Sequence, residues 1–295
     1  METTTNPLNR AKISLLHAGV FSFCILLCIA PVVRGAELQP KTLAAWEKYI
    51  HLTEQRISAE LEDGDRFLVT DFLGGAESQS ARALLRSGHV YIQKMKTPEG
   101  GGQEINVDGG MIHHWLGAIF LPGIGLDSLL PWLQDYDQHY RYFQEVEESQ
   151  LLSRDGLTFH IFLRLRRKKI ITVYYKTGHT AVYRHHDPRR ISSRSFTTRI
   201  AELDNAGTPA EREQPVGNDR GFLWRLNSYW RFQAEDRGVW VECESISLSR
   251  AIPFGLSWLI RGYVESVPRE SLESTLTSIR EGVTRTIGSK GPAPR

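Results

Sequence analysis

The sequence predicts an α+β domain in which an antiparallel sheet packs against a helix near the C-terminus. Two patterns between residues 221 and 287 lead to this prediction. In the first, bulky side chains occupy alternate positions, as on a strand with one buried face: Phe222, Trp224, Leu226, Trp230 and Phe232. In the second, apolar residues recur every three or four positions, as on one face of a helix: Leu272, Leu276, Ile279, Val283 and Ile287. A sheet and a helix that each have one apolar face must pack together to bury both.

The length and composition are those of an ordinary folded protein. The chain has 295 residues, of which 41% are hydrophobic and 24% are charged, and this is enough for one well-buried domain or two small ones. The net charge of +2 is too small for a duplex-binding protein, which needs a concentrated basic face. We therefore expect no nucleic-acid partner. The basic run at residues 164–169 is interpreted as a solvated hairpin turn.

Residues 1–35 are predicted to be a signal peptide. Arg10 and Lys12 precede an apolar run at residues 13–33, and the sequence up to Gly35 has short residues where a signal peptidase cleaves. We therefore expect export to a bacterial periplasm or cell surface. The alternative is that the apolar run remains as a membrane anchor. After cleavage Cys243 is the one cysteine left, so no internal disulfide is expected.

Apolar periodicity predicts the remaining elements downstream of residue 36. Helices are predicted at residues 42–61 and 126–143, and the closing helix is predicted to begin at Pro268. Strands are predicted at residues 67–72, 89–95, 111–121, 145–152, 157–166, 170–177, 181–186 and 190–203. The apolar segment 252–264 is interpreted as packed, either as the first half of a broken closing helix or as a lid, and transient membrane contact is the less favoured alternative.

This order of elements resembles the START-like, or SRPBCC, helix-grip superfamily, which includes the birch-pollen allergen type. The resemblance rests on the strand at 111–121 that leads into a helix, on the long run of strands and on the Pro-Arg-Glu-Ser-Leu start of the closing helix at 268–272. The runs at 226–232 and 241–250 are similar to exported bacterial START-like proteins of unassigned function. The resemblance implies an α+β fold in which a curved antiparallel sheet wraps around a long C-terminal helix.

The resemblance also implies a division of the chain. Residues 36–104 are expected to be an N-terminal helical and mixed extension, residues 105–288 the START-like domain, and residues 289–295 a disordered tail. In the superfamily, the sheet and the closing helix enclose an apolar cavity that holds a lipid, a sterol, a polyketide or a similar molecule. The expected ligand-binding residues are those on the sheet and helix faces that look into such a cavity: Trp115, Phe159, Ile161, Val173, Tyr175, Trp224, Leu226, Trp230, Tyr263, Leu272 and Leu276.

Three functions follow from this reading. The first is an exported protein that binds a hydrophobic, lipid-like small molecule, with Arg225, Tyr229 or Tyr263 orienting its polar end. The second is a cyclase or hydrolase on the same scaffold, and the third is an interaction module whose core is filled. No catalytic residue and no cofactor is assigned, and the sequence leaves the oligomeric state open.

The other polar groups are interpreted as structural. His113 and His114, like His185 and His186, are adjacent on predicted strands, so each pair points to opposite faces and no metal site is expected. Asp135, Asp137 and His139 are interpreted as a solvated helix end. Glu242 and Glu244 share one strand face and are expected to form cross-strand ion pairs with arginines of the neighbouring strand, Arg225 and Arg231.

Overall fold

The computed structural model describes residues 36–169, 171–252 and 257–287, with side chains beyond residue 256 described for Gly262 and from Glu265 onward. These residues form one compact unit. The predicted signal peptide and the predicted C-terminal tail lie outside the described residues.

One large antiparallel sheet dominates the fold. Its strands run in the spatial order β2-β3-β11-β10-β7-β6-β5-β4, and β8 adds to β7, while β1 and β9 form a separate pair. The bounds are β1 (Ala36–Glu37), β2 (Tyr91–Lys94), β3 (Gly110–Pro122), β4 (Val146–Asp155), β5 (Thr158–Lys168), β6 (Thr172–Asp187), β7 (Arg190–Asp204), β8 (Arg212–Glu213), β9 (Asn218–Asp219), β10 (Arg225–Glu235) and β11 (Gly238–Arg250).

The two faces of the sheet are covered by different helices. The helices are α1 (Pro40–Leu61), α2 (Gly75–Arg86), α3 (Leu126–Gln134) and α4 (Ser257–Thr286). The face that packs against α4 is called the inner face, and the face that packs against α1 is called the outer face. Leu276, Ile279 and Val283 of α4 are fully buried against the inner face, whereas Trp46 and Ile50 of α1 pack on outer-face side chains such as Ile246. The predicted α+β helix-grip arrangement is therefore confirmed.

Several predicted elements differ from the structure. β6 is one strand rather than two, because Gly178 stays in the ladder and a register shift follows it, as expected of a glycine at a β-bulge. Val69–Phe72 is a 3-10 helix rather than a strand. The helix predicted to reach residue 143 ends at Gln134, and a 3-10 helix follows at Tyr136–Arg141. Contacts with β4 replace the helical ones there, since Asp137 accepts the N–H of Leu151.

The closing helix begins earlier than predicted. α4 starts at Ser257 and contains Pro268 in its interior, so residues 257–267 form the first part of the same helix. The basic run is not a turn either, because Arg164 to Lys168 belong to β5. Arg164 is buried, and Glu211 accepts two hydrogen bonds from its guanidinium at 2.8 and 2.7 Å.

Buried charges join the N-terminal segment to the outer face. Glu244 accepts a hydrogen bond from His114 at 2.7 Å and pairs with Arg56 of α1. Glu242 accepts N–H groups of Val69 and Thr70 at 2.5 and 3.2 Å. Burial raises the pKa of Glu242 to about 7, and these donors act in the opposite direction.

The arginines expected to pair across the strands have other partners. Arg231 donates to the carbonyl of Phe67 at 2.8 Å and pairs with Glu60 of α1, while Arg225 donates to the carbonyl of Trp224. The predicted cross-strand pairs of Glu242 and Glu244 are therefore wrong as contacts. The sequence pattern identified the shared strand face but not the segment that covers it.

The contact between α4 and β3 depends on one glycine. A Cβ added to Gly117 would lie 2.6 Å from Cδ1 of Leu276 and 2.9 Å from Cγ of Leu272. We expect Gly117→Ala to push α4 away from β3 and to lower the free energy of unfolding by about 1–3 kcal/mol, measured by urea denaturation. Gly75→Ala is the control, since nothing lies within 4 Å of its added Cβ. Equal stability of the two variants would contradict this account of the contact.

A cavity between the sheet and the closing helix

A cavity of about 470 Å³ lies between the inner face of the sheet and α4. Its apolar wall comes mainly from β5, β6, the start of β10 and α4. The wall includes Ile161, Leu163, Leu165, Val173, Tyr175, Ala181, Leu226, Trp230, Phe232, Leu272 and Ile279. Val267 and Pro268 of α4 border the cavity as well. The closing helix therefore forms one side of the cavity from Val267 to Ile279.

Small side chains in the middle of the sheet help to leave this space open. On β10 the inner-face residues alternate as Leu226, Ser228 and Trp230, and on β11 Cys243 is followed by Ser245, Ser247 and Ser249. Serine side chains are short, so they extend less far toward α4 than the bulky residues that would fill a solid core. The cavity is therefore open where a strand pair of this kind is usually packed with larger residues.

The predicted ligand-binding residues divide into three groups. Those that line the cavity are Ile161, Val173, Tyr175, Leu226, Trp230 and Leu272, and those that do not are Trp115, Phe159, Trp224 and Leu276. The side chain of Tyr263 lies outside the described residues. The structure thus brings six of the eleven together around one space.

Trp224 lies on the outer face rather than the inner one. It precedes the first residue of β10, so the alternation that places Leu226 and Trp230 inside does not extend back to it. Gly221, with φ of 74°, turns the chain before it, and the indole N–H of Trp224 donates to Asp219 at 3.1 Å. Trp224 then packs with the residues of α1.

The other three residues outside the lining are parts of packed core. Phe159 is 1% exposed and contacts the rings of Tyr136 and Tyr183. Leu276 is fully buried over Gly117. Trp115 is on β3 and packs with the core beneath α4.

Two of the residues expected to orient a polar ligand group are not at the cavity. The hydroxyl of Tyr229 donates to Glu54 of α1 at 2.7 Å, and Arg225 donates to a neighbouring carbonyl. Neither lines the cavity, because odd-numbered residues of β10 point to the outer face. The polar groups that do line it were missed, although the alternating serines at 245, 247 and 249 directly continue the inner-face alternation of β11.

Three histidines are among the polar groups of the cavity wall. His113 contacts the hydroxyl of Ser249 at 3.0 Å, His139 donates to the carbonyl of Leu133, and His179 contacts the hydroxyl of Thr177 at 2.8 Å. Burial lowers the pKa of each to about 4. All three are therefore neutral near pH 7. His139 belongs to the cavity and not, as expected, to a solvated helix end.

One end of the cavity is charged and open to solvent. Ile171 and Phe222 line this end and are 49% and 40% exposed. Arg167 there pairs with Glu145 and Glu270, and Arg220 pairs with Glu202. Burial raises the pKa of Glu145.

Arg250 differs from its basic neighbours at this end. It lines the cavity at the last position of β11 and is partly exposed. Within the described ranges its guanidinium has no ion pair or hydrogen bond. Arg250 is therefore available to a negatively charged or oxygen-bearing group at the cavity entrance.

The described part of the chain contains no group of three or more His, Cys, Asp or Glu side chains placed to hold a metal ion. His113 points to the inner face and His114 to the outer face, so the expected divergence of this pair is confirmed. In the same described residues, no helix is both long enough and apolar enough to span a membrane.

The sheet order and the closing helix identify the fold. A strand that leads into a helix, a long antiparallel run and a C-terminal helix over the inner face are the three features expected of a helix-grip protein. The chain has the helix-grip fold. No protein-family model matches the sequence, and no curated protein matches it either.

Solved structures that resemble this helix-grip chain have low sequence identity to it. The STAR-related lipid transfer protein fragment from Xanthomonas axonopodis is 18% identical, with a TM-score of 0.42, over 65% of this chain and 98% of that one. Zhui aromatase/cyclase from Streptomyces sp. R1128 is 13% identical, with a TM-score of 0.41, over 62% and 100%. Human STARD10 is 9% identical, with a TM-score of 0.41, over 79% and 90%.

The neutral state of the cavity histidines makes the stability of this helix-grip protein depend on pH. The pKa of His179 is about 4 in the folded protein, below the ordinary 6.5. The contribution of the neutral ring to the free energy of unfolding is therefore complete above pH 6.5 and is lost as the pH falls through 4. We expect His179→Gln to be destabilising at pH 7.5 and to become less so, relative to the wild type, at pH 4.5. Urea unfolding at both pH values measures the difference.

Ile161→Val is the matched control, because Ile161 is the cross-strand partner of His179 and also lines the cavity. Its effect on stability should be the same at both pH values, since it removes a methyl group and no titrating group. A His179→Gln effect that is independent of pH would show that burial does not hold this ring neutral.

Proposed function

We propose that this protein binds a hydrophobic small molecule in the cavity between the sheet and α4. The observation that carries the proposal is the cavity of about 470 Å³ with its largely apolar wall. Small-molecule sites in proteins have volumes of roughly 300–1,000 Å³ and consist of apolar walls with a few polar groups. An interaction module with a filled core, the third function considered above, does not agree with this open space.

Apolar burial supplies the affinity in this proposal. Each methylene group moved from water into the cavity contributes about 0.8 kcal/mol, so about 12 such groups contribute on the order of 10 kcal/mol before the cost of association. The wall formed by Ile161, Val173 and Leu226 offers this apolar surface. The polar end of the ligand would lie at the open end, near Arg250.

An enzyme on the same scaffold has weaker support. The hydroxyl of Ser249 and the imidazole of His113 are 3.0 Å apart at the cavity wall, which is the spacing of a nucleophile and its base. Burial lowers the pKa of His113 to about 4, however, and a general base works best with a pKa near the working pH. The pair is better suited to holding a ligand oxygen than to activating the serine.

Filling the cavity tests the binding proposal. Ser245→Phe places a ring in the middle of the inner face, so we expect the affinity for a fluorescent fatty acid to fall at least tenfold, with an unchanged circular dichroism spectrum. Ser153→Phe is the control, because Ser153 is exposed on β4 outside the cavity. Equal affinity of both variants and the wild type would place binding elsewhere.

The natural ligand can be sought directly. Mass spectrometry of organic extracts from protein purified out of its native cells should show one hydrophobic compound at a near-equal molar ratio. The same extract from Ser245→Phe should lack it. A compound that is consumed when it is returned to the protein would favour the cyclase or hydrolase alternative.

We also propose that the protein acts in a bacterial cell envelope. The support is the basic and then apolar sequence of residues 1–33. Fractionation of the native cells followed by N-terminal sequencing is the test. A mature terminus near residue 36 in the soluble envelope fraction supports export, an uncleaved terminus in the membrane supports the anchored alternative, and a cytoplasmic protein overturns both.

A further inference from the structure

A band of serine hydroxyls crosses the inner face of the sheet at the cavity. Ser228 of β10 is the register partner of Ser195 on β7 and of Ser245 on β11, and all three line the cavity. Neighbouring strands are about 5 Å apart, so the three hydroxyls form a row about 10 Å long. Ser247 extends the band by one inner-face position along β11.

The hydroxyls of this band have hydrogen-bonding capacity that no group of the described protein uses. The indole N–H of Trp230 donates to Ser228 at 3.1 Å, which leaves the hydroxyl hydrogen of Ser228 free to donate. Among the residues that the structure describes, the side-chain hydroxyls of Ser195, Ser245 and Ser247 have no hydrogen-bond partner. Ser247 is only 6% exposed as a residue and lines the cavity, so its hydroxyl can pair only with a group inside that space, and a ligand that displaces water without offering an oxygen or nitrogen would leave it unpaired.

The closing helix provides an independent observation of the same kind. Ser278 of α4 is 4% exposed and lines the cavity, and its hydroxyl also has no partner among the residues that the structure describes. Hydroxyls without an internal partner therefore face the cavity from two separate elements, β11 and α4. Each points to a polar atom of a ligand that occupies the cavity.

The part of the same sheet face formed by β5 and β6 has a different character. Leu163, Leu165 and Val173 of these strands line the cavity with hydrocarbon. The cavity thus has a mainly apolar side on β5 and β6 and, on β7, β10 and β11, a side where serine hydroxyls lie among apolar residues such as Leu226 and Trp230. An unsubstituted alkyl chain would pack well on the apolar side. It would leave the serine hydroxyls of the other side without water and without hydrogen-bond partners.

We propose that the ligand is a facial amphiphile, a rigid hydrophobic molecule that carries two or more hydroxyl or carbonyl oxygens along one side. Its oxygens pair with Ser195, Ser228, Ser245 and Ser247, and its hydrocarbon side packs on β5 and β6. This inference rests on the proposed binding function and specifies the class of molecule. A site built to hydrogen-bond ligand oxygens discriminates strongly against an analogue that lacks them, because its own polar groups are then left unpaired.

Two bile acids with one skeleton test the proposal. Cholate carries three hydroxyl groups on one face, whereas 5β-cholanate has the same rings and carboxylate and no hydroxyls. Isothermal titration below the micellar concentration gives the affinity of each for the wild type and for the variant Ser195→Ala/Ser228→Ala/Ser245→Ala/Ser247→Ala. Ser153→Ala is the control, and thermal unfolding verifies that each variant is folded.

We expect the fourfold variant to lose cholate affinity by about 10- to 100-fold, as for the loss of two or three hydrogen bonds, and to bind 5β-cholanate as well as the wild type or better. A fourfold variant that does not fold is replaced by Ser228→Ala/Ser245→Ala, for which the loss should be about tenfold. Equal losses for both bile acids, or no loss for either, would overturn the proposal.

The control probe is palmitate, which has a plain alkyl chain. A wild-type protein that binds palmitate and neither bile acid would overturn the facial-amphiphile proposal and leave the proposed binding function intact. A wild-type protein that binds none of the three probes and yields no compound on extraction would overturn both.

Discussion

The alternation of side chains along β11 is the constraint on which the rest of the structure depends. β11 lies between β3 and β10 and is covered on both faces, by α4 inside and by the N-terminal segment outside. Its inner residues change from Val239 and Val241 to the serines that border the cavity, and its outer residues include Glu242 and Glu244. A register shift of one residue would exchange the two sets and bring carboxylates into the cavity.

The outer face shows why the N-terminal segment is energetically part of the same unit as the sheet. Burying a carboxylate is costly unless donors surround it, and the donors for Glu242 come from residues 69 and 70, while those for Glu244 come from His114 and from Arg56 of α1. Removal of this segment would leave two buried carboxylates without most of their partners. The cavity on the inner face therefore depends on contacts made on the other side of the sheet.

Much of the architecture was predictable because it follows from local periodicity. β3, α1 and the closing helix all have an apolar pattern with the period of their element. β3 and α1 are found close to their predicted bounds, and the closing helix is found where predicted except that it begins at Ser257 instead of Pro268. The errors have tertiary causes. Gly178 was interpreted as a turn because glycine usually marks one, but pairing with β5 on one side and β7 on the other keeps it in a strand. Residues 67–72 were predicted to be a strand, but Val69–Phe72 form a 3-10 helix, and the N–H groups of Val69 and Thr70 donate to Glu242.

The candidate site was predictable only in part, for a related reason. Period-2 alternation correctly placed Leu226 and Trp230 on one face, and it failed at Trp224, where the strand has not yet begun. Large apolar residues are the sequence signal of a cavity wall, and the serines and histidines that also border the space do not have that signal.

The sequence by itself determined the α+β class, the order of most elements and the faces of the central strands, because these depend on the spacing of apolar residues along the chain. The tertiary structure alone decided that the space under α4 is open, that hydroxyls border one side of it, and that the three histidines of its wall are neutral. These properties depend on how far apart α4 and the sheet lie and on which polar atoms find partners, and such distances between segments remote in sequence are not encoded in any local pattern.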